Sequence, residues 1–368
     1  MRASSGAAKL RSHVRPGDWH AGQATGPGNY PLAPVRTESG GSYWLAYGVI
    51  ALVIILFGIF TDPTRYADFD TYVYYLDALV YYPPPSWTYF EPLSNLNLLA
   101  AHWLTRSVLS AIVFAHYTLG IVFLLATPIA YPPRRTSWQA LLFTFAVMGP
   151  LLAFVTLRAT PAYFLIAIGV RYAIERRPVA WLCLAVAASF HISALLAAPA
   201  MALLYFERNL PGFLRSNRSR KYYVRVALAI IAVYALLPSL SGSFNSLIKS
   251  ISVLSKYEVY TDVNEGSVTQ VGHYIFLVFV SLLTMIFVYI RNETSNKLKM
   301  YVLVSFALYV LLFFATSPVV AFRQTPFWIM PLIAILPWDQ LGVRRATAPA
   351  FVMACAVLMA FQFSQVYV

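Results

Sequence analysis

Long apolar runs, separated by short segments rich in lysine and arginine, repeat along almost the whole chain. Hydrophobic residues make up 59% of the 368 residues, and charged residues make up only 11%. A soluble domain carries about 25% charged residues, so this composition excludes an ordinary soluble fold. We therefore predict an all-α, polytopic integral membrane protein, because helices satisfy their own backbone hydrogen bonds in lipid.

The net charge of +13 could indicate nucleic-acid binding, but the placement of the basic residues explains it differently. They cluster in short segments between apolar runs, as cytoplasmic loops do under the positive-inside rule. We therefore expect no nucleic-acid partner. Cys183 and Cys355 both fall within apolar runs, so we expect neither a disulfide framework nor a cysteine-based metal site.

The alternation of apolar and basic segments predicts about eleven membrane segments in one domain, residues 43–368, with the amino terminus cytoplasmic. Residues 1–42 are polar and basic, and they predict a disordered cytoplasmic tail rather than a cleavable signal peptide. The predicted segments are residues 43–60, 108–130, 138–157, 162–174, the two halves of 179–206, 226–240, 273–290, 300–322, 325–338 and 347–365.

The apolar run 179–206 has basic residues on both sides, Arg176 and Arg177 before it and residues 208–221 after it. Both flanks should therefore be cytoplasmic. A straight helix of this length would measure about 42 Å, well over the hydrocarbon thickness of ~30 Å. We predict a helical hairpin that turns near residues 190–193. This places His191 deep in the membrane or at its outer face, where an ionisable group is usually functional.

The predicted outer loops are residues 61–106 and 241–272, and the first of them interleaves carboxylates with aromatic residues. Carboxylates accept hydrogen bonds from sugar hydroxyls, and aromatic faces pack against pyranose rings. This pattern favours a carbohydrate site, whereas an interfacial aromatic belt would explain the aromatics but not the carboxylates. If a helix begins at Asp68, Tyr72 lies on the same face one turn later.

Glu91-Pro92 precedes a segment, residues 93–104, that is too short to cross a bilayer. We predict an interfacial or re-entrant helix that lines a cavity, with Pro92 in its first turn. The Glu91 carboxylate would then face the positive end of the helix dipole. Glu91 could therefore have a structural role or orient a sugar.

Arg158 and Arg323 both fall where the predicted topology meets the outer membrane face. Pro318 and Pro326 break the helices around Arg323. A guanidinium is well suited to bidentate recognition of phosphate. A snorkelling arginine at a helix end is the alternative for either residue alone. Two arginines on the face that carries His191 favour a site for an anionic lipid.

Five short motifs, in order, resemble those of the EpsG/Wzy-type polysaccharide polymerases. They are Asp68-Phe69-x-x-Tyr72, Glu91-Pro92 followed by Leu98-Leu99, Arg158 before residues 159–162, Phe190-His191-Ile192-Ser193-Ala194-Leu195-Leu196, and Phe322-Arg323. Two departures exist. Leu93-Ser94 stands where the family has glycine and an aromatic, and the aromatics after the late arginine are displaced to residues 327–328.

The resemblance implies a GT-C-like glycosyltransferase on the outer face of the bacterial cytoplasmic membrane. Its substrates would be repeat units carried on undecaprenyl diphosphate, and its product an exopolysaccharide or O-antigen. Besides membrane lipid, a chain-length regulator and a flippase would be its partners. No metal or other cofactor is expected, because two arginines can offset the charge on the leaving group.

These expectations assign a role to each candidate residue. Asp68 is the first candidate for positioning or deprotonating the acceptor hydroxyl, and His191 is the competing base. Arg158 and Arg323 would bind the diphosphate, while Glu91 and Tyr72 would contact the substrate.

Two alternative functions belong to other classes of membrane protein. A lipid-linked-oligosaccharide flippase or exporter would need a polar path through the whole membrane, and the inner halves of the predicted segments contain few polar residues. A membrane O-acetyltransferase would need residues that a cytoplasmic acyl donor can reach, whereas these candidates face outward.

Overall fold

The structure, a computed structural model, describes residues 40–81, 91–206, 267–290, 296–315, 318–335, 338 and 347–367, with a few positions between 225 and 232. Within these ranges the regular secondary structure is helical, apart from an isolated β-bridge between Tyr66 and Tyr367. The predicted all-α class is confirmed. The predicted tail up to residue 39, most of segment 226–240 and most of the outer loop 241–272 lie outside the described residues.

The helices of the described ranges are, in chain order, α1 (Gly40–Phe60), α2 (Phe69–Tyr81), α3 (Pro92–Thr105), α4 (Val108–Ala130), α5 (Trp138–Phe154), α6 (Ala159–Ile174), α7 (Val179–Phe190), α8 (Ala198–Tyr205), α9 (Ser267–Ile290), α10 (Asn296–Ala315), α11 (Pro318–Gln324), α12 (Pro326–Ile335) and α13 (Ala348–Val366). Two 3₁₀ turns, Pro63–Arg65 and Ile192–Ala197, complete them.

Helices α1, α4 and α13 are each long and apolar enough to cross a membrane. They leave large apolar side chains exposed along their length, for example Leu45 and Ile59 on α1 and Leu125 on α4. Exposure of such continuous apolar faces is unfavourable in water, whereas it is favourable in lipid. The membrane class is therefore supported by the structure, and the count of eleven segments stays a prediction.

Helix α5 forms the centre of the packed helices, because nearly all its residues are buried. It packs against α1, α4, α12 and α13, and it ends at Phe154 rather than at the predicted residue 157. The backbone then turns irregularly through residues 155–158 before α6 begins at Ala159. Non-helical backbone is tolerated at membrane depth only where protein or a cavity surrounds it. The packing around α5 provides such a place for Arg158.

The predicted turn in residues 190–193 is confirmed. Helix α7 ends at Phe190, and His191 has an extended backbone before the 3₁₀ turn Ile192–Ala197. At the opposite end, the rings of Trp181 and Tyr205 lie 5.6 Å apart, so the start of α7 and the end of α8 meet. The segment is therefore a hairpin with His191 at its turn.

The proline breaks around Arg323 are also present, although the predicted segment 300–322 is not one helix. Helix α10 ends at Ala315, and a separate short helix, α11, begins at Pro318. A proline in a helix interior would remove a backbone hydrogen bond and clash with the preceding turn. Arg323 therefore lies in the last turn of α11, just before α12.

Gly169 allows the hairpin to pack closely on α6. A Cβ atom at this position would lie 3.0 Å from Met201 Cε and 3.1 Å from Cys183 Cβ. These atoms belong to α8 and α7, so one glycine sets the distance of α6 from both arms of the hairpin. Gly120 on α4 is different, since its added Cβ would meet Ile54 at an ordinary 3.6 Å.

We expect Gly169→Leu to destabilise the protein by about 1–3 kcal/mol through overpacking against α7 and α8. Gly120→Ala, which adds a Cβ where the nearest neighbour lies at an ordinary distance, should leave stability unchanged or slightly higher. Thermal unfolding of the purified proteins in detergent measures both. Equal melting temperatures for Gly169→Leu and the wild type would show that the hairpin does not pack on α6 in this way.

Candidate functional site

The Glu91 carboxylate is completely buried and joins three distant parts of the chain. Its Oε2 atom lies 3.0 Å from Nη1 of Arg158, and its Oε1 atom lies 2.9 Å from Nδ1 of His191. The backbone N–H of Ile192 donates to Oε1 at 3.3 Å. One carboxylate therefore compensates a guanidinium and fixes an imidazole. We call Glu91, Arg158 and His191 the charged triad.

Local structure explains how Glu91 reaches its partners. Pro92 occupies the first turn of α3, where its missing N–H costs nothing, and Glu91 is the N-cap residue. The Glu91 side chain makes no capping hydrogen bond to its own helix. The carboxylate instead contacts Arg158, His191 and Ile192, and its interaction with the dipole of α3 stays a prediction. Ser94 Oγ donates to the carbonyl of Phe190 at 2.6 Å and holds α3 against the end of α7.

The protonation of His191 follows from its partner. An ionised carboxylate only accepts hydrogen bonds, so Nδ1 of His191 must carry the proton that it donates to Glu91. When the ring is neutral, Nε2 is then an acceptor. The His191 side chain is 13% exposed, whereas that of Glu91 is 0% exposed. The triad therefore has a buried carboxylate and an imidazole nearer the surface.

Arg158 lies in the turn between α5 and α6, with its guanidinium over the ring of Tyr75 at 4.7 Å and that of Tyr72 at 5.8 Å. Burial alone would lower the pKa of Arg158, but Tyr72 and Glu91 outweigh it and raise the pKa, so the charge is permanent. The side chain is 23% exposed. Its Nε atom is buried and has no hydrogen-bond partner within the described part of the chain.

Asp68 lies beside this site, one helical turn before Tyr72. It has a left-handed backbone with φ of 65°, which an aspartate tolerates better than most residues. Its carbonyl accepts from the Tyr72 N–H at 3.1 Å, and its side chain is exposed. Tyr72 itself is buried; burial is the main cause of its raised pKa, and the Asp68 charge contributes. The phenol therefore stays neutral between Asp68 and Arg158.

Arg323 approaches the same region from α11. The Tyr163 hydroxyl, on α6, donates to the Arg323 carbonyl at 3.2 Å. Helix α11 also packs against the 3₁₀ turn that follows His191. These contacts bring the Arg323 backbone to the hairpin turn, and the contact of its guanidinium with a phosphate stays a prediction.

Two residues of this region were not predicted from the sequence. Tyr75 lies under Arg158, and its hydroxyl donates to Asn95 Oδ1 at 2.5 Å. His116 is buried in α4 next to Phe69 and Tyr72. The signal for His116 was present, since an ionisable residue within the apolar segment 108–130 is unusual. Nothing in the local sequence distinguishes Tyr75 from the other tyrosines of α2.

We expect Glu91→Leu to cost about 3–5 kcal/mol of stability, because it leaves Arg158 without its buried partner. The matched control is Glu175→Leu. Glu175 pairs with Arg135 at 2.7 Å, but these side chains are 32% and 59% exposed, so its loss should cost at most about 1 kcal/mol. Thermal unfolding in detergent compares the two.

A second variant separates charge from packing. The double change Glu91→Leu with Arg158→Leu should recover part of the stability that Glu91→Leu loses, since no unpaired buried charge remains. Equal losses at positions 91 and 175, with no recovery in the double variant, would contradict a buried ion pair.

The fold and site together define an integral membrane protein with a buried, charge-compensated triad where helices end. The EpsG family model matches residues 46–368, and the chain belongs to the EpsG family. The resemblance drawn from the five motifs is thereby confirmed. No curated protein and no solved structure matches the chain significantly.

Proposed function

We propose that this protein polymerises lipid-linked oligosaccharide repeat units by glycosyl transfer on the outer face of the bacterial cytoplasmic membrane. Membership of the EpsG family suggests a polysaccharide polymerase-like function. The observation that carries the proposal is the charged triad, because it supplies an oriented base and a fixed cation in one place. The lipid carrier would be undecaprenyl diphosphate.

The reaction needs three elements. A hydroxyl of the acceptor unit attacks the anomeric carbon of the growing chain and forms the new glycosidic bond. The bond from that carbon to the diphosphate breaks, and undecaprenyl diphosphate leaves with the electron pair. The hydroxyl proton passes to a base. The site must therefore bind sugars, accept a proton and stabilise negative charge on the leaving group.

The geometry favours His191 over Asp68 as the base. Glu91 fixes the Nδ1–H of His191, so Nε2 is the ring nitrogen that would accept a proton. The same carboxylate then stabilises the imidazolium that forms, as the aspartate does in a serine–histidine–aspartate triad. Asp68 is exposed and has no such fixed partner described, so we assign it the acceptor hydroxyl, which its carboxylate would orient by accepting a hydrogen bond.

The Arg158 guanidinium is suited to binding the diphosphate of the lipid carrier. One of its five N–H donors contacts Glu91, and its Nε–H has no partner within the described residues. The rings of Tyr75 and Tyr72 lie against the guanidinium and restrict its orientation, and Tyr72 is also a hydrogen-bond partner of Arg158. The Arg158 side chain is 23% exposed, and a phosphate oxygen would receive a charge-assisted hydrogen bond at this exposed part. Arg323 would contribute the second guanidinium.

Helix α2 supplies a surface for sugars next to Asp68. Tyr74 and Tyr81 are exposed on this helix, and Asp70 is exposed in its first turn. Aromatic faces and carboxylates together suit the apolar faces and hydroxyls of pyranose rings. This surface supports the carbohydrate interpretation over an aromatic belt, because α2 is amphipathic and lies beside Arg158 rather than facing lipid on all sides.

We expect His191→Ala and Arg158→Ala each to lower polymer formation by about 100-fold or more, since a general base and an oxyanion donor each contribute on that order. Asp68→Asn and Arg323→Ala should also shorten the ladder of polymer lengths. Lipid-linked single repeat units should accumulate on the outer face. Polymer length and the amount of single repeat units are measured on gels of extracted glycan, after expression of each variant has been verified. Arg135→Ala is the matched arginine control.

Two results would contradict the proposed polymerase function. A normal distribution of polymer lengths in all four variants would show that these residues do not form the active site. Single repeat units that accumulate only on the cytoplasmic face would instead indicate a flippase.

The outward orientation can be tested separately. In a background with Cys183 and Cys355 replaced by alanine, we expect a membrane-impermeant maleimide to label Asp70→Cys in intact cells. Arg134→Cys, also exposed, should be labelled only after the membrane is opened. The reverse pattern would place the site on the cytoplasmic side and exclude the proposed reaction.

A further inference from the structure

His116 is a buried histidine that the proposed reaction does not use. It lies about 12 Å into α4, and its side chain is 1% exposed. Its Nε2 atom is buried and has no hydrogen-bond partner in the ranges that the structure describes. A phenylalanine would fill the same space without an unpaired acceptor. An ionisable residue kept at this cost within a membrane segment indicates a role beyond packing.

The first contact of His116 is with the turn that leads to Arg158. Its Nδ1 lies 2.5 Å from the carbonyl oxygen of Phe154, the last residue of α5. Since a carbonyl only accepts, Nδ1–H is the donor. The last carbonyls of a helix lack partners within that helix, and His116 satisfies this one. The Phe154 carbonyl is thereby fixed four residues before Arg158.

The second contact is with the turn that carries Asp68. The His116 ring stacks on Phe69, with centroids 5.7 Å apart and an angle of 24° between the planes. It also meets the rings of Tyr66 and Tyr72 edge-on, at 5.4 Å and 6.2 Å. These three residues surround Asp68 in the sequence, and Tyr72 in turn contacts Arg158.

We propose that His116 is a positioning residue that couples the Asp68 turn to the Arg158 turn. The Nδ1 edge of the His116 ring binds the carbonyl at the end of α5, and the face of the ring packs against Phe69 at the start of α2. The acceptor-binding carboxylate and the diphosphate-binding guanidinium are thus kept at a fixed separation by a residue that touches neither substrate. The effect on turnover rests on the proposed glycosyl transfer, whereas the coupling of the two turns does not.

Two substitutions separate the contacts. His116→Phe keeps the stacking on Phe69 but cannot donate to Phe154. His116→Asn can still donate to Phe154 but cannot stack. The matched control is Thr127→Val, which removes a buried hydroxyl from the same helix, where its partner among the described residues is the carbonyl of Phe123.

The first measurement is turnover per folded molecule with a purified lipid-linked repeat unit. Both His116 variants should lower kcat by about 10- to 100-fold, because misplacement of reacting groups by about 1 Å costs this much. KM should change little, and Thr127→Val should retain wild-type kcat. Wild-type kcat per folded molecule in both His116 variants would overturn the proposal, as would a loss that Thr127→Val shares.

The second measurement does not require polymerase activity. With Leu76→Cys, a fully buried position of α2, as the probe and Cys183 and Cys355 replaced by alanine, His116→Asn should raise the rate of maleimide labelling several-fold. His116→Phe should leave that rate unchanged, since it retains the stacking. An unchanged rate in His116→Asn would overturn the coupling even if the wild type polymerises. A raised rate in His116→Asn, together with a wild-type protein that makes no polymer, would support the coupling and refute the proposed function.

Discussion

The burial of the Glu91 carboxylate is the constraint on which the rest of the site depends. Removing a carboxylate from water costs several kcal/mol unless donors replace the lost hydration. Here the donors are Arg158, His191 and the backbone of Ile192. They come from the turn after α5 and from the break after α7. The carboxylate is therefore compensated only when α3 and both of these helix ends come together.

Helix ends, rather than helix faces, build this site. Helix α3 begins after Glu91, α5 ends at Phe154, and α7 ends at Phe190. Irregular backbone is costly in lipid unless protein or water surrounds it. The three ends can lie together because α5 and α6 are buried on nearly all sides and shield them. The irregular backbone also supplies the free Ile192 N–H, which a continuous helix would have used internally.

Arg158 shows how the same packing serves chemistry. Its charge is compensated by Glu91 on one side, and its planar faces lie against the rings of Tyr75 and Tyr72. Such a guanidinium is fixed before any ligand arrives, so it loses little side-chain entropy on binding a phosphate. Because Glu91 pairs with Arg158, the positive charge of this guanidinium is not left uncompensated when no substrate is bound. The site is an ion pair in which the Arg158 side chain stays 23% exposed.

The sequence by itself determined the membrane class, the bounds of α4, the hairpin turn at His191 and the family, because hydrophobic length, charge and proline position act locally. It also singled out Asp68, Glu91, Arg158 and His191 as unusual groups. Only the tertiary structure decided that Glu91 pairs with residues 67 and 100 positions later, and that His116 joins two turns. Partners so distant in the chain are selected by how helices pack, and no local pattern records that choice.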